Sequence, residues 1–195
     1  MDHPFYSIIT PSLLRQSLLQ TCDSVTKQTY GKWEHFVICD VEQLDQELLK
    51  QIEHPQRTII QCPHPHRDGG NTCRRSAWPL TSGQWCYYLD DDNFLADEQV
   101  LADIHAALSP LPEIVQMGLF PILRLGHLFY CNPPRSCFVD TLNFCLRREI
   151  GQWPDTNCYG SDGYLIDGLM AAQVKYAAFP DHRPIAILPK ISYGK

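Results

Sequence analysis

Apolar and polar positions along the first half of this chain fall into a repeating order of short strand-like runs and amphipathic helical stretches. Phe5 to Thr10 (Phe-Tyr-Ser-Ile-Ile-Thr) reads as a first strand, expected to stop at Pro11, which brings no N–H donor and restricts the residue before it. Ser12 stands where a helix cap belongs. Leu14, Leu18, Leu19, Cys22 and Val25 then recur at helical spacing, which predicts a helix from Leu13 to about Gln28, ended by Tyr30-Gly31. Trp33 to Cys39 is a second strand closing on Asp40, Val41 to Ile52 a helix with Leu44, Leu48 and Leu49 on one side, and Arg57 to Cys62 a third strand.

Strand, helix, strand, helix, strand is the order of right-handed crossover units, so the expected class is α/β with a mainly parallel sheet. Such sheets bind ligands beyond the carboxyl ends of their strands. Thr10-Pro11, Asp40 and the acids of Gln84-Trp85-Cys86-Tyr87-Tyr88-Leu89-Asp90-Asp91-Asp92-Asn93-Phe94 all fall at predicted strand ends, on one rim. Three adjacent carboxylates cannot pack in an apolar core. Either water solvates them, or a hard divalent cation and the phosphates it carries stand in front of them. Arg67-Asp68-Gly69-Gly70-Asn71 precedes a helix predicted from Thr72 to Thr81, whose Arg74 and Arg75 start near the same rim. At least one of these guanidiniums is within reach of a phosphate or a carboxylate there, the other having a solvated helix face as its plain account.

The second half is less regular. Ala96 to Leu108 carries Val100, Leu101, Ile104 and Leu108 on one helical face; Glu113 to Tyr130 is strand-rich; Phe138 to Arg147 alternates like a strand. Asn132-Pro133-Pro134-Arg135-Ser136 is loop. A helix is expected to open at Ser161 or Asp162 with Leu165, Ile166, Leu169 and Met170 turned inward, and Lys175 to Phe179 and Pro184 to Leu188 are closing strands.

Composition narrows the function. The chain has 195 residues, 44% of them hydrophobic and 19% charged, with a formal net charge of -6, values expected of one ordered domain. That sign, with no Lys/Arg cluster against it, argues against nucleic acid as a partner. Nine cysteines (Cys22, Cys39, Cys62, Cys73, Cys86, Cys131, Cys137, Cys145 and Cys158) lie mostly in apolar runs, as buried thiols of a reducing compartment do. Cys62-Pro-His64-Pro-His66, followed by Cys73, groups zinc-ligand types at a spacing that matches no usual paired-ligand pattern. Asp2 with no basic region at the amino terminus, and Arg124 and His127 interrupting the apolar stretch from Met117 to Cys131, fit neither a signal peptide nor a transmembrane segment; a cytoplasmic location is expected.

The order of these features resembles glycosyltransferase family 2, with its GT-A fold. The matching residues are Ser7-Ile8-Ile9-Thr10-Pro11, Ser24-Val25-Thr26-Lys27-Gln28-Thr29-Tyr30, Trp33 to Asp40, Gly70-Asn71 ahead of Arg74-Arg75, and Gly83 to Asn93, covering about residues 5 to 110. The resemblance implies a single Rossmann-like domain over 1–195, with a nucleotide-binding half to about 95 and an acceptor-binding half after it. It implies a metal-dependent, inverting transferase that moves a sugar from a nucleotide-diphospho-sugar to a hydroxyl-bearing acceptor. By the same resemblance Asp90 and Asp92 hold Mn²⁺ or Mg²⁺, and Thr10, Pro11, Asp40, Asn71, Arg74, Arg75 and Asp91 bind the nucleotide. Asp162 is then the base that deprotonates the acceptor, in a place where family members carry Glu-Asp and this chain has Ser161-Asp162; Asp155 is the second candidate. His182 would complete the metal shell, as a histidine does in some relatives, its plain account being a surface residue. A second copy of the chain stays open as a partner. Two other readings are a sugar-nucleotide-binding module without turnover and a nucleotidyltransferase, the latter opposed by the lack of a Gly-rich, Arg/Lys-bearing loop after the first strand.

Overall fold

In the computed structural model, which describes residues 4–156 and 160–189, the first strand β1 (Tyr6–Ser12) runs straight through Pro11. Peptide groups alternate sides along a strand. Ile9 faces the side on which its carbonyl accepts Leu89 N–H at 3.0 Å, and Pro11, two residues on, faces the same way. Pairing on that side ends at Ile9↔Tyr88, so no ladder donor is missing at Pro11. Ser12 faces the other neighbour, its carbonyl accepting Asp40 N–H at 2.8 Å.

The helix expected from Leu13 begins only at Ser17 (α1, Ser17–Thr26), and Ser12 is not its cap. Leu14 sits at φ 54°, while Ser12 Oγ and Leu13 N–H both donate to Asp91, which holds residues 13–16 as a loop over the strand ends. There follow β2 (Trp33–Cys39), α2 (Gln46–Gln51, capped by Asp45 and shorter than expected), β3 (Arg57–Gln61), α3 (Asn71–Ala77, continued by a 3₁₀ turn to Leu80) and β4 (Trp85–Tyr88). β1 pairs in parallel with β2 and β4, and β2 with β3.

Two strand residues follow the acids, β5 (Phe94–Leu95), before α4 (Val100–Leu108). The strand-rich region divides into β6 (Met117–Leu119), β7 (Ile122–Arg124) and β8 (His127–Phe129). The expected strand from Phe138 is instead a 3₁₀ turn, Thr141–Asn143, leading into β9 (Phe144–Arg147); then come α5 (Ser161–Ala171), β10 (Tyr176–Ala178) and β11 (Ala186–Leu188). The main sheet has the order β10-β6-β9-β4-β1-β2-β3, with β9 antiparallel to both neighbours, and a four-stranded sheet has the order β5-β11-β7-β8.

Both faces of the main sheet are covered, so its central strands are apolar at consecutive positions. Ile8 and Tyr87 join Trp85, Leu101 and Ile104 on one face, while Ile9 and Tyr88 join Phe36, Ile38 and Ile166 on the other. Each such buried side chain contributes about 1.5–3 kcal/mol. Of the cysteines, Cys22, Cys39, Cys62, Cys73, Cys86 and Cys145 are buried and Cys137 is exposed; Cys158 and the tail from Ile191 lie outside the described residues. Among the described residues no helix is long and apolar enough to cross a membrane.

Candidate active site

β1, β2 and β4 end side by side, and their tips form a cleft of about 490 Å³. Its acids are Asp40, Asp90, Asp91 and Asp92, its arginines Arg15, Arg67 and Arg74, and Pro11 with Gly70 forms part of its wall. Gly70, at φ 80°, lies so close that a Cβ there would stand 2.6 Å from Pro11 Cβ. Only glycine lets the α3 entry approach β1 this closely.

The three consecutive aspartates are not equivalent. A turn closed by Asn93 N–H on the Asp90 carbonyl (3.1 Å) fans them apart. Asp90 pairs with Arg74, whose side chain is only 5% exposed and lies 4.6 Å over the ring of Trp153. Asp91 is buried; its Oδ2 accepts Ser12 Oγ–H and Leu13 N–H, both at 2.9 Å, so this carboxylate organises the loop from within. Asp92 meets Arg15 at 2.9 Å. Burial, then the neighbouring Asp90, push the Asp92 carboxyl above its ordinary range, against the pull of Arg15, and burial does the same to Asp91. Crowded carboxylates with raised affinity for a proton are a donor set that suits a hard divalent cation. At the far side of the cleft, Asp40 Oδ1 accepts His66 N–H (2.7 Å) and its Oδ2 accepts Arg67 N–H (2.9 Å).

A second cleft, of about 610 Å³, contains Asp140, Asp162 and Asp167 with Arg124 and an exposed Tyr164. Asp162 stands in the first turn of α5, where the helix dipole favours an anion. Even so, its carboxyl is pushed up by burial and by Asp90, against the hydrogen bond from Gly163 N–H and the charge of Arg74. The two clefts are therefore in electrostatic contact through Asp90. Asp140, which the sequence offered only as a strand position, feels Asp90 and Asp162 as well; burial first, then these charges, raise its carboxyl.

Several sequence candidates point elsewhere. Thr10 Oγ1 bonds His35 Nε2 at 2.9 Å; Arg57 Nε donates to His35 Nδ1, which leaves Nε2 as the donor, and burial holds this imidazole neutral. Asn71 is buried beneath the clefts, its Oδ1 accepting Trp153 Nε1–H (2.9 Å) and the Ser161 hydroxyl, so it joins the start of α3 to the start of α5. Arg75 pairs with Asp155 and lines neither cleft, and Asp155 is 91% exposed. His182 donates from Nδ1 to the Arg183 carbonyl and packs on Phe120. Arg15, Trp153 and Asp140 escaped the sequence reading; the Asp140-Thr141-Leu142-Asn143 capping box was the one local signal for the last of these.

A mainly parallel α/β sheet whose strand-tip acids face one cleft, beside a second acidic cleft at a helix start, defines the GT-A class of fold. Solved structures share it. S. aureus TarS 1–349 superposes with a TM-score of 0.74 at 14% identity, over 94% of this chain and 60% of that one. The same protein in complex with UDP-GlcNAc gives 0.70 at 14% identity over 97% and 59%. Mannosyltransferase PcManGT from Pyrobaculum calidifontis, in complex with GDP-Man and Mn²⁺, gives 0.71 at 16% identity over 99% and 59%. Residues 7–122 match the glycosyl transferase family 2 model, and the chain belongs to that family. It is also 31% identical over 94 residues to the Escherichia coli UDP-Glc:alpha-D-GlcNAc-diphosphoundecaprenol beta-1,3-glucosyltransferase WfgD, a match over 48% of this chain and 37% of that relative. The chain thus spans well under two thirds of that relative and about three fifths of the structures.

Proposed function

We propose that this chain transfers a sugar from a nucleotide-diphospho-sugar to an acceptor hydroxyl with inversion at the anomeric carbon. The observation that carries the reading is the adjacency of the two clefts, one with basic and acidic groups suited to a metal-bound diphosphate, the other with a carboxylate at a helix start. UDP-GlcNAc in TarS and GDP-Man with Mn²⁺ in PcManGT support a nucleotide sugar as the donor class. Residues to about 95 form the donor half and those from about 96 the acceptor half.

Asp92 and Asp90 would hold Mn²⁺ or Mg²⁺, which when bound neutralises charge on the departing diphosphate. Arg74, packed on Trp153, is fixed in place to meet a phosphate. Asp40 and the main chain at Pro11 receive the nucleoside, and Asp91 keeps the Ser12–Leu13 turn in shape for it. Asp162 takes the proton from the acceptor hydroxyl, and its raised affinity for protons suits a general base.

The test is a calorimetric titration of UDP and GDP, with and without Mn²⁺, followed by transfer assays on Asp92→Asn and Asp162→Asn. Metal-dependent nucleotide binding lost in the first variant and kept in the second, with transfer lost in both, is the expected pattern. Equal loss of binding in both removes the roles assigned.

A further inference from the structure

The thiol and imidazole cluster noted in the sequence has a counterpart in the fold, although its members come from three separate elements. Cys62 follows β3 and Cys73 lies on α3; their sulfurs stand 3.7 Å apart and both residues are buried. Asp40, at the end of β2, completes the group: its carboxylate and the two sulfurs each present one ligand atom, all within 4.8 Å of one another.

We propose that Asp40, Cys62 and Cys73 bind a zinc ion that is separate from the metal of the donor cleft. Two thiolates held at about 2.3 Å on one tetrahedral zinc stand about 3.8 Å apart, close to the separation seen. The carboxylate has capacity to spare. It offers about four acceptor positions, of which His66 and Arg67 N–H take two, so one serves zinc and one still faces a nucleoside.

Charge points the same way. Among the described residues no lysine or arginine forms an ion pair with Asp40 or with nearby Asp68, whose Oδ1 is buried without a hydrogen-bond partner. When zinc binds, two S–Zn bonds form, two thiol protons leave to solvent, and no electron is transferred. Three protein ligands leave a fourth position. The nitrogen donors nearest along the chain are His64 and His66, whose rings are 4.6 Å apart.

The role that follows is structural. Zinc would clamp the loop from Cys62 to Cys73 against the tip of β2, fixing the backbone N–H groups that hold Asp40. The separation of ligands among β2, the loop after β3 and α3 is also why no familiar spacing shows in the sequence.

The experiment is zinc and cobalt loading of the reduced full chain without nucleotide. One zinc per chain is expected, and Co²⁺ should give tetrahedral visible bands with a sulfur-to-cobalt charge-transfer band in the near ultraviolet. Cys62→Ala and Cys73→Ala should each weaken zinc binding at least tenfold, whereas Cys137→Ser should leave the count at one. Should either alanine variant fail to fold, alkylation of the wild-type chain decides, since zinc should slow modification of Cys62 and Cys73 more than tenfold. Failure of the reduced chain to take up zinc, a cobalt spectrum without the sulfur band, or unprotected thiols would overturn the proposal. Because zinc uptake is read without donor or acceptor, its outcome is independent of the transferase assay.

Discussion

Arg15 Nη1 lies 2.9 Å from Asp92 Oδ2 and 3.6 Å from Asp91 Oδ1, so one half-exposed arginine spans two acids of the strand-tip cleft. An exposed pair of this kind contributes roughly 0.2–1 kcal/mol. Arg15→Gln should therefore shift the unfolding free energy by less than about 1 kcal/mol. It should nonetheless lower the Mn²⁺ concentration needed for half-saturation, because the cation no longer displaces a guanidinium from Asp92. A Mn²⁺ titration of both proteins without nucleotide checks this, and unchanged half-saturation would mean that Asp92 does not receive the ion.

Asp162→Asn and Asp92→Asn should separate kinetically. Losing a general base slows transfer by about 10²–10⁴ while donor affinity holds. Asp92→Asn should abolish the Mn²⁺ dependence of donor binding itself. Calorimetry and single-turnover transfer on the same preparations distinguish the two.

The acidic groups also set a pH dependence of stability. Asp91, Asp92, Asp140 and Asp162 all have carboxyls raised by burial first. Between the ordinary carboxylate pKa of about 3.9 and the raised folded values, the folded chain holds protons that the unfolded chain has released. The stability these acids contribute therefore falls as pH rises through that window and levels off above it, while His35, held neutral by burial, acts in the opposite sense below the ordinary imidazole pKa of about 6.5. Measured against Asp92→Asn, a comparison in which the histidine contribution cancels, the metal-free chain should lose melting temperature as pH rises through the window, and Mn²⁺ above it should restore much of that loss. Thermal melts across pH, with and without Mn²⁺, measure it.

Gly70→Ala is expected to cost about 2 kcal/mol or more, since an L side chain at this positive φ is strained and its Cβ would also press on Pro11. Urea denaturation reads the loss, and weaker nucleotide binding should accompany it as the cleft wall shifts.

Trp153→Phe keeps an aromatic ring under Arg74 but removes the Nε1–H donor to Asn71. The Ser161 hydroxyl still donates to Asn71 Oδ1, so the loss is that of one hydrogen bond, about 0.5–1.5 kcal/mol. Trp153→Ala should cost more, about 3–5 kcal/mol, and raise the donor KM because Arg74 loses its platform. Denaturation and donor kinetics on the pair check both.

Much of the first half of the chain could be read from the sequence because its central strands are buried on both faces. A run such as Trp85 to Leu89 has to be core, and the acids after it come out at one rim, although Asp91 stays buried there against Ser12 and Leu13. What each acid faces could not be read, since Asp90, Asp91 and Asp92 differ only in how a four-residue turn fans them. Thr10 and Asn71 lie near the rim in sequence terms. Strand alternation and the α3–α5 contact nevertheless turn them to His35 and to Trp153. The second half of the chain was less legible because its strands are three or four residues long, too short for a period to show, and Asp140 was hidden in what alternates like a strand.

Phe94–Leu95 begins two residues after Asp92 and is the edge of the smaller sheet, paired with Ala186–Leu188. Arg124, on the parallel neighbour of that strand, borders the cleft of Asp162. Strand β11 is therefore the single strand between the one that follows the Asp90–Asp92 turn and the one that carries Arg124, so two successive strand pairings join the margins of the two clefts. A change in the tilt of this small sheet would be felt at both margins together.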